Sequence, residues 1–250
     1  MDALIKNPNK KISTAWMDGF KGILDAYLGP LPENFVYQGK QYTSKSFAES
    51  LGLDPDDYVC LSSFTHHPFY QPFILEVADN WAWGEIYNVT LDEMMEIIDY
   101  ALDKGYTVGW ASDVSDKGFA YNKGLAVIPE TDVAELSGAE KARWEKLTEK
   151  ERNSQMYNFD RVVPEKNVTQ EMRQRDFDNL QTTDDHGMHI VGYGTDQFGH
   201  KYYYVKNSWG ADNKFDGFFY ASVPFVRLKT INIVVHKNAL PKDIRKKLGI

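Results

Sequence analysis

The chain has 250 residues and a formal net charge of -8, with 36 acidic side chains against 28 basic ones. Nucleic acids and anionic membranes are bound by clustered Lys and Arg, so this balance argues against both as main partners. The apolar runs fall short of the roughly 20 residues that a membrane-spanning helix needs, so no membrane segment is predicted. The single cysteine, Cys60, excludes an internal disulfide.

The first third of the chain is predicted to form helices joined by polar turns. The first helix has apolar residues at helical spacing, with Ser13 as its cap and Gly29 as its stop. A second, shorter helix is predicted within residues 42–53. After a turn, an apolar run at Tyr58–Phe64 predicts a buried strand.

The middle of the chain contains the clearest helix signal. Thr90 and Glu93 form a capping box at its start, and Gly105 is placed at its C-cap. Residues 106–114 follow as a strand. Polar helices are then predicted within an insertion or outer layer at about 134–180.

Four short β-like runs occupy the last part of the chain and are separated by Gly, Asp and Asn turns. They lie at residues 188–194, 201–208, 217–223 and 230–236. Such a pattern predicts an antiparallel sheet or small barrel. The predicted fold class is therefore α+β, with helices first and sheet last.

A histidine and an asparagine stand where this sheet can bring them together. His186 precedes the first β-like run, and Asn207 ends its hairpin neighbour. An imidazole acts as a general base when a second group fixes its tautomer, and an amide oxygen does so without adding charge. Trp209 is placed to cover this hydrogen bond and exclude water.

The segments "DHGMHIVGYG", "YYYVKNSWG" and "GFFY" resemble the His and Asn blocks of papain-like cysteine peptidases. Upstream segments such as "DPDDYVCL" are similar to the bleomycin hydrolase and aminopeptidase C branch. The resemblance implies a papain-like fold, with residues 1–56 as the remainder of the helical half and 57–250 as the barrel-type half.

The same resemblance implies roles for individual residues. His186 would be the catalytic base and Asn207 its orienting partner, with Trp209 and Asp185 binding substrate or shielding the site. The implied activity is hydrolysis of peptide bonds by acyl transfer to a thiol, with a peptide as substrate and no cofactor.

The nucleophile of that mechanism has no counterpart in this chain. The family's Gln and Cys block is absent, and the chain begins where the family's middle would begin. Cys60 lies 126 residues before His186, close to the family's spacing, but its surroundings read as a buried strand with no helix N-terminus to lower its pKa. Cys60 is therefore predicted to be structural.

We accordingly expect the isolated chain to be inactive. The explanation favoured here is that it is the C-terminal portion of a longer peptidase. The others are a natural partial paralogue, and a nucleophile from a separate chain. The remaining partner is then a missing N-terminal half or another copy of the chain.

A second class of function is a non-catalytic protein that binds a peptide or a partner chain. A metal site at Asp184–His186 and His189 is disfavoured, because an odd offset turns His189 to the opposite face of the strand. The N-terminus has no signal-peptide pattern, and the resemblance implies a cytoplasmic location.

Overall fold

The computed structural model describes residues 13–130 and 138–250, together with Lys6, Pro8, Lys11 and Leu136. The chain divides into two compact units, residues 1–55 and residues 56–250. The boundary falls at the Asp54-Pro55 turn. All predicted site residues belong to the second unit.

The described residues of the first unit form two helices and a hairpin. Helix α1 spans Trp16–Leu28, strands β1 and β2 span Phe35–Tyr37 and Lys40–Tyr42, and helix α2 spans Ser44–Ser50. Strands β1 and β2 pair antiparallel. Both predicted helices are thus confirmed.

The start of α1 corrects one prediction. Ala15, not Ser13, is the N-cap of this helix, and no side chain caps it. The Ser13 hydroxyl instead accepts a hydrogen bond from the Ala15 backbone N–H at 3.2 Å. The helix therefore starts two residues later than a Ser13 cap would place it.

The second unit is built on a ten-stranded sheet. Its strands in chain order are β3 Tyr58–Ser62, β4 Pro72–Ile74, β5 Glu85–Asn88, β6 Val108–Ser112, β7 Phe119–Ala120, β8 Leu125–Ala126, β9 His186–Thr195, β10 Lys201–Lys206, β11 Phe218–Ser222 and β12 Thr230–His236. Across the sheet their order is β4-β5-β3-β12-β6-β9-β10-β11-β8-β7. The predicted strand at Tyr58 and the four late β runs are confirmed.

Helix α3, Leu91–Asp103, has one apolar face that is buried in the main core. Its start has the predicted capping box: the Thr90 hydroxyl accepts from the Glu93 N–H, and the Glu93 carboxylate accepts from the Thr90 N–H. The C-cap is Lys104, one residue earlier than the predicted Gly105, and Gly105 follows it with φ +79°. A left-handed residue directly after the cap is the usual place for glycine.

The remaining helices are α4 Gly138–Trp144, α5 Glu149–Met156, α6 Gln170–Asp178, α7 Val223–Lys229 and α8 Lys242–Leu248. The first three lie in the predicted helical insertion. Trp144 and Met156 form a small apolar cluster of their own with Leu136. Within the described ranges, no helix has the length and apolarity that crossing a bilayer requires.

Candidate active site: a histidine–asparagine pair

The predicted pair meets at one end of the β9–β10 hairpin. His186 is the first residue of β9, and Asn207 directly follows β10. Antiparallel pairing of these strands aligns Lys206 with His189. His186 Nε2 then lies 2.8 Å from Asn207 Oδ1, which is a well-formed hydrogen bond.

The contacts around Asn207 fix which nitrogen of the imidazole has the proton. Asn207 Oδ1 also accepts a hydrogen bond from the Ser208 backbone N–H at 2.7 Å, which orients the amide group. An amide oxygen only accepts, so His186 Nε2 must donate. In the neutral ring the free lone pair is then on Nδ1, where a base would take up a proton.

The backbone of Asn207 is held as firmly as its side chain. Its N–H donates to the Gly217 carbonyl at 3.0 Å. Gly217 has φ +85°, and a Cβ at this position would lie 2.7 Å from the Gly210 carbonyl oxygen. Only glycine fits there, so the loop that closes over Asn207 depends on it.

One polar atom of this pair has no partner. Asn207 is 6% exposed, and its Nδ2 is buried without a hydrogen bond within the described part of the chain. Leaving such a donor unpaired costs about 1–3 kcal/mol. The amide orientation therefore satisfies the oxygen and leaves the nitrogen without a partner. Such an arrangement is expected of a functional group more than of a purely structural one.

Trp209 lies against the histidine, as the sequence predicts. The two ring centroids are 4.8 Å apart with 31° between the planes. Phe119 and Tyr121 pack edge-on against Trp209, with centroids 5.9 and 5.2 Å away. Trp209 is still 47% exposed, so it shields one side of the pair and leaves its own outer face open.

Asp185 connects the segment before His186 to the end of β6. Its carboxylate accepts hydrogen bonds from the backbone N–H groups of residues 114–115, each at 3.1 Å, and from the Thr183 hydroxyl at 2.7 Å. Burial raises the pKa of Asp185, but these bonds and one with Asp113 outweigh it and hold the pKa below its usual range. These contacts anchor the segment before His186 to the residues that follow β6. The substrate-binding or shielding role of Asp185 stays a prediction.

A buried ion-pair network lies beneath this loop. Lys229, 3% exposed, is 3.2 Å from the carboxylate of Asp113 and 3.1 Å from that of Asp116. Its Nζ also donates to the Gln181 carbonyl at 2.6 Å. Lys229 therefore ties the end of α7 to both segments that position the histidine.

The sequence analysis did not identify Lys229 as a residue that supports the site. The available signal was a lysine between the apolar residues of α7 and β12. A buried lysine needs an acidic partner, but the sequence offers many carboxylates and does not single out Asp113.

Cys60 lies far from the pair. Strands β12 and β6 separate β3 from β9, and three steps of about 4.8 Å place Cys60 on the order of 14 Å away across the sheet. It packs at the edge of an apolar cluster that contains Phe64 and Phe73. Burial, and to a smaller extent the Asp184 carboxylate, raises the pKa of its thiol to about 12.

No cluster of three or more potential metal ligands occurs among the described residues. The carboxyl group of Asp184 has a raised pKa because of burial and the nearby Asp79 and Asp185. His189 is exposed on the other side of β9, as the odd offset from His186 predicts.

Comparison with known proteins agrees with this geometry. The model of the Peptidase C1-like family matches residues 138–249, which include both members of the pair. The solved structure of pepw from Lactobacillus rhamnosis HN001 covers 99% of this chain with a TM-score of 0.60 at 18% identity. This chain covers 54% of that protein, so it spans about half its length.

Two more distant structures also match. Bromelain from Ananas comosus is 18% identical, with a TM-score of 0.28 over 55% of this chain and 43% of its own. SERA5E from Plasmodium falciparum is 13% identical, with a TM-score of 0.35 over 86% of this chain and 57% of its own. These scores are too low to support an argument. No curated protein sequence matches the chain.

A strand-end histidine held by an asparagine amide, beneath a tryptophan on this sheet, defines the His–Asn half of a papain-like cysteine peptidase fold. Both members of the pair lie within residues 138–249, the part of the chain that matches the Peptidase C1-like family model. The α+β fold class and the resemblance to papain-like cysteine peptidases are thereby confirmed.

Proposed function

We propose that this chain supplies the base half of a cysteine-type peptide hydrolase, related to the bleomycin hydrolase and aminopeptidase C branch. The observation on which the proposal rests is the hydrogen bond of 2.8 Å between His186 Nε2 and Asn207 Oδ1. The match to the Peptidase C1-like family supports the same class of activity.

The roles follow from the geometry. Nδ1 of His186 takes the proton of an attacking thiol and later returns it to the leaving amine, after which water releases the acid product. Asn207 holds the ring through its amide oxygen, and Trp209 covers one side of it.

The thiol in this mechanism is not that of Cys60. Cys60 lies in the middle of β3, separated from β9 by two strands, and its pKa is raised to about 12. A nucleophilic cysteine has a pKa lowered by a nearby cation or helix N-terminus. The nucleophile therefore comes from outside these 250 residues, and the chain alone does not hydrolyse peptides.

The position of Cys60 also favours a second candidate, a non-catalytic protein that binds a peptide or a partner chain beside the His–Asn pair. The two candidates differ in whether His186 can activate a thiol that is supplied to it. The cytoplasmic location and the missing N-terminal half or second copy remain predictions.

The test supplies the missing group as a small thiol. Purified wild type, Cys60→Ser and His186→Ala are assayed with fluorogenic aminoacyl and peptidyl amides, and then with an activated aminoacyl ester plus the small thiol. We expect no amide hydrolysis by any of them. We expect faster thiolysis of the ester by wild type and Cys60→Ser, but not by His186→Ala.

Two other outcomes would each support a different account of the chain. Amide hydrolysis that disappears in both Cys60→Ser and His186→Ala would mean that Cys60 is the nucleophile. Peptide binding without any thiolysis above the His186→Ala control would favour the non-catalytic candidate.

A further inference from the structure

A second concave site lies away from the His–Asn pair. A cavity of about 490 Å³ is bounded by the insertion around residues 156–165 and by the far end of the β9–β10 hairpin. Gly194 and Thr195 line it, eight and nine residues along β9 from His186. At about 3.3 Å per residue this is on the order of 25 Å, so the cavity is separate from the pair.

The wall of the cavity is largely aromatic and aliphatic. Four aromatic rings contribute to it, those of Phe159, Tyr202, Phe215 and Tyr220. The Phe215 ring lies so close to Gly124 that a Cβ at that position would overlap it. Aromatic faces are negative and attract organic cations, and a volume of this size is typical of small-molecule sites.

A carboxylate stands in this wall with only one of its oxygens engaged. Glu165 Oε2 accepts hydrogen bonds from the Ile128 N–H at 2.8 Å and from the Ser222 hydroxyl at 2.5 Å. Within the described part of the chain, its Oε1 has no hydrogen bond. A partly desolvated oxygen of this kind favours a cationic or strongly donating ligand group.

The two basic residues in the wall already donate hydrogen bonds to other protein groups. Lys123 Nζ donates to the Asn158 carbonyl at 2.8 Å, and Arg161 donates to Gln155 at 2.8 Å. The wall also contains three acidic residues, Asp160, Glu165 and Asp196, so its formal charge is negative.

We propose that this cavity binds a small protonated amine with an aliphatic or aryl body. The ammonium group pairs with Glu165, and the apolar body lies against the aromatic rings. This site is independent of the proposed hydrolase function.

The protonation of Glu165 sets the pH range of binding. Burial raises the pKa of Glu165 to about 6, although the bonds from Ser222 and Ile128 and the nearby His200 act in the opposite direction. Amine binding should therefore strengthen as pH rises through this value. The charged groups that line the two sides of Glu165 are Lys123, Asp160, Arg161, Asp196, His200 and Lys201.

The test uses 2-phenylethylamine, with 2-phenylethanol and 3-phenylpropionate as neutral and anionic probes of similar size. Binding is measured near neutral pH by calorimetry and by shifts in the protein's amide NMR signals. We expect the amine to bind at least about tenfold more tightly than either control probe. Its shifts should centre on residues 194–196 and 156–165.

Two variants and a control complete the design. Glu165→Gln keeps the acceptor for Ser222 and should weaken amine binding at least about tenfold. Val162→Trp, at a wall position that is 39% exposed, should block the cavity without unfolding the chain. His186→Ala should leave amine binding unchanged.

The proposal is overturned if the amine binds no better than the alcohol, or if Val162→Trp, shown to be folded by circular dichroism, binds it as well as wild type. Amine shifts centred on residues 186 and 207–209 would also overturn it.

Discussion

Lys229→Met tests the buried ion pairs that Lys229 forms with Asp113 and Asp116. Methionine keeps the length of the side chain but removes the charge that lies 3.2 Å from Asp113 and 3.1 Å from Asp116. Asp113 is fully buried, so it would lose its counter-charge in a site that bulk solvent does not reach. Removing one partner of a buried ion pair costs about 3–5 kcal/mol.

The assay is urea unfolding followed by circular dichroism, and we expect the free energy of unfolding to fall by about 3–5 kcal/mol. Lys117→Met is the matched control, because Lys117 is exposed in the same loop as Asp116, and it should change stability by less than about 0.5 kcal/mol. The double variant Lys229→Met/Asp113→Asn should recover part of the loss, since it removes the unpaired charge. A loss no larger than that of the control would refute the argument that Lys229 neutralises Asp113.

Three further predictions concern single side chains. The Cys60 thiol should react with a disulfide reagent at least about tenfold more slowly than a free thiol, because its pKa is raised to about 12 and only the thiolate attacks; a rate near that of unfolded protein in urea would contradict this. Glu165→Gln should change the pH dependence of stability, since a folded pKa raised from 4.5 to about 6 makes the wild type lose about 2 kcal/mol as pH rises through that window. The variant should lack this loss, and parallel stability curves for the two proteins would refute it. Trp209→Ala should expose His186, and we expect its Nε2 proton to exchange with water at least about tenfold faster by NMR, whereas an unchanged rate would show that Trp209 does not shield the bond.

Elements with strong local signals were predictable from the sequence. The Thr90 and Glu93 capping box and the apolar face of α3 come from short-range spacing, and the structure has both. The His186 and Asn207 blocks were predictable because a hairpin brings its own ends together. In each case the interacting residues are joined by a local element.

Features that depend on long-range packing could not be predicted in this way. Lys229 meets Asp113 across 116 residues of sequence, and only the three-dimensional arrangement of α7 and β6 shows the contact. The Ser13 correction has a different cause. A serine near a helix start has several backbone N–H groups within reach. Here its hydroxyl accepts a hydrogen bond from the Ala15 N–H, before the helix begins.

The cavity at Glu165 was also invisible in the sequence. Glu165 follows a helical insertion, and its neighbours Ile128 and Ser222 lie on distant segments. A single glutamate among 36 acidic residues gives no signal of burial.

The protonation of the His186 ring tests most directly whether this pair is built to act as a base. Long-range nitrogen–proton NMR correlations of the imidazole identify the tautomer, with exposed His189 as an internal reference. We predict a proton on Nε2 and a free lone pair on Nδ1 for His186, because Asn207 Oδ1 can only accept. In Asn207→Ala the Nε2 preference should fall to that of the exposed His189 ring. A proton on Nδ1 in the neutral wild-type ring would contradict the proposed catalytic role of the pair.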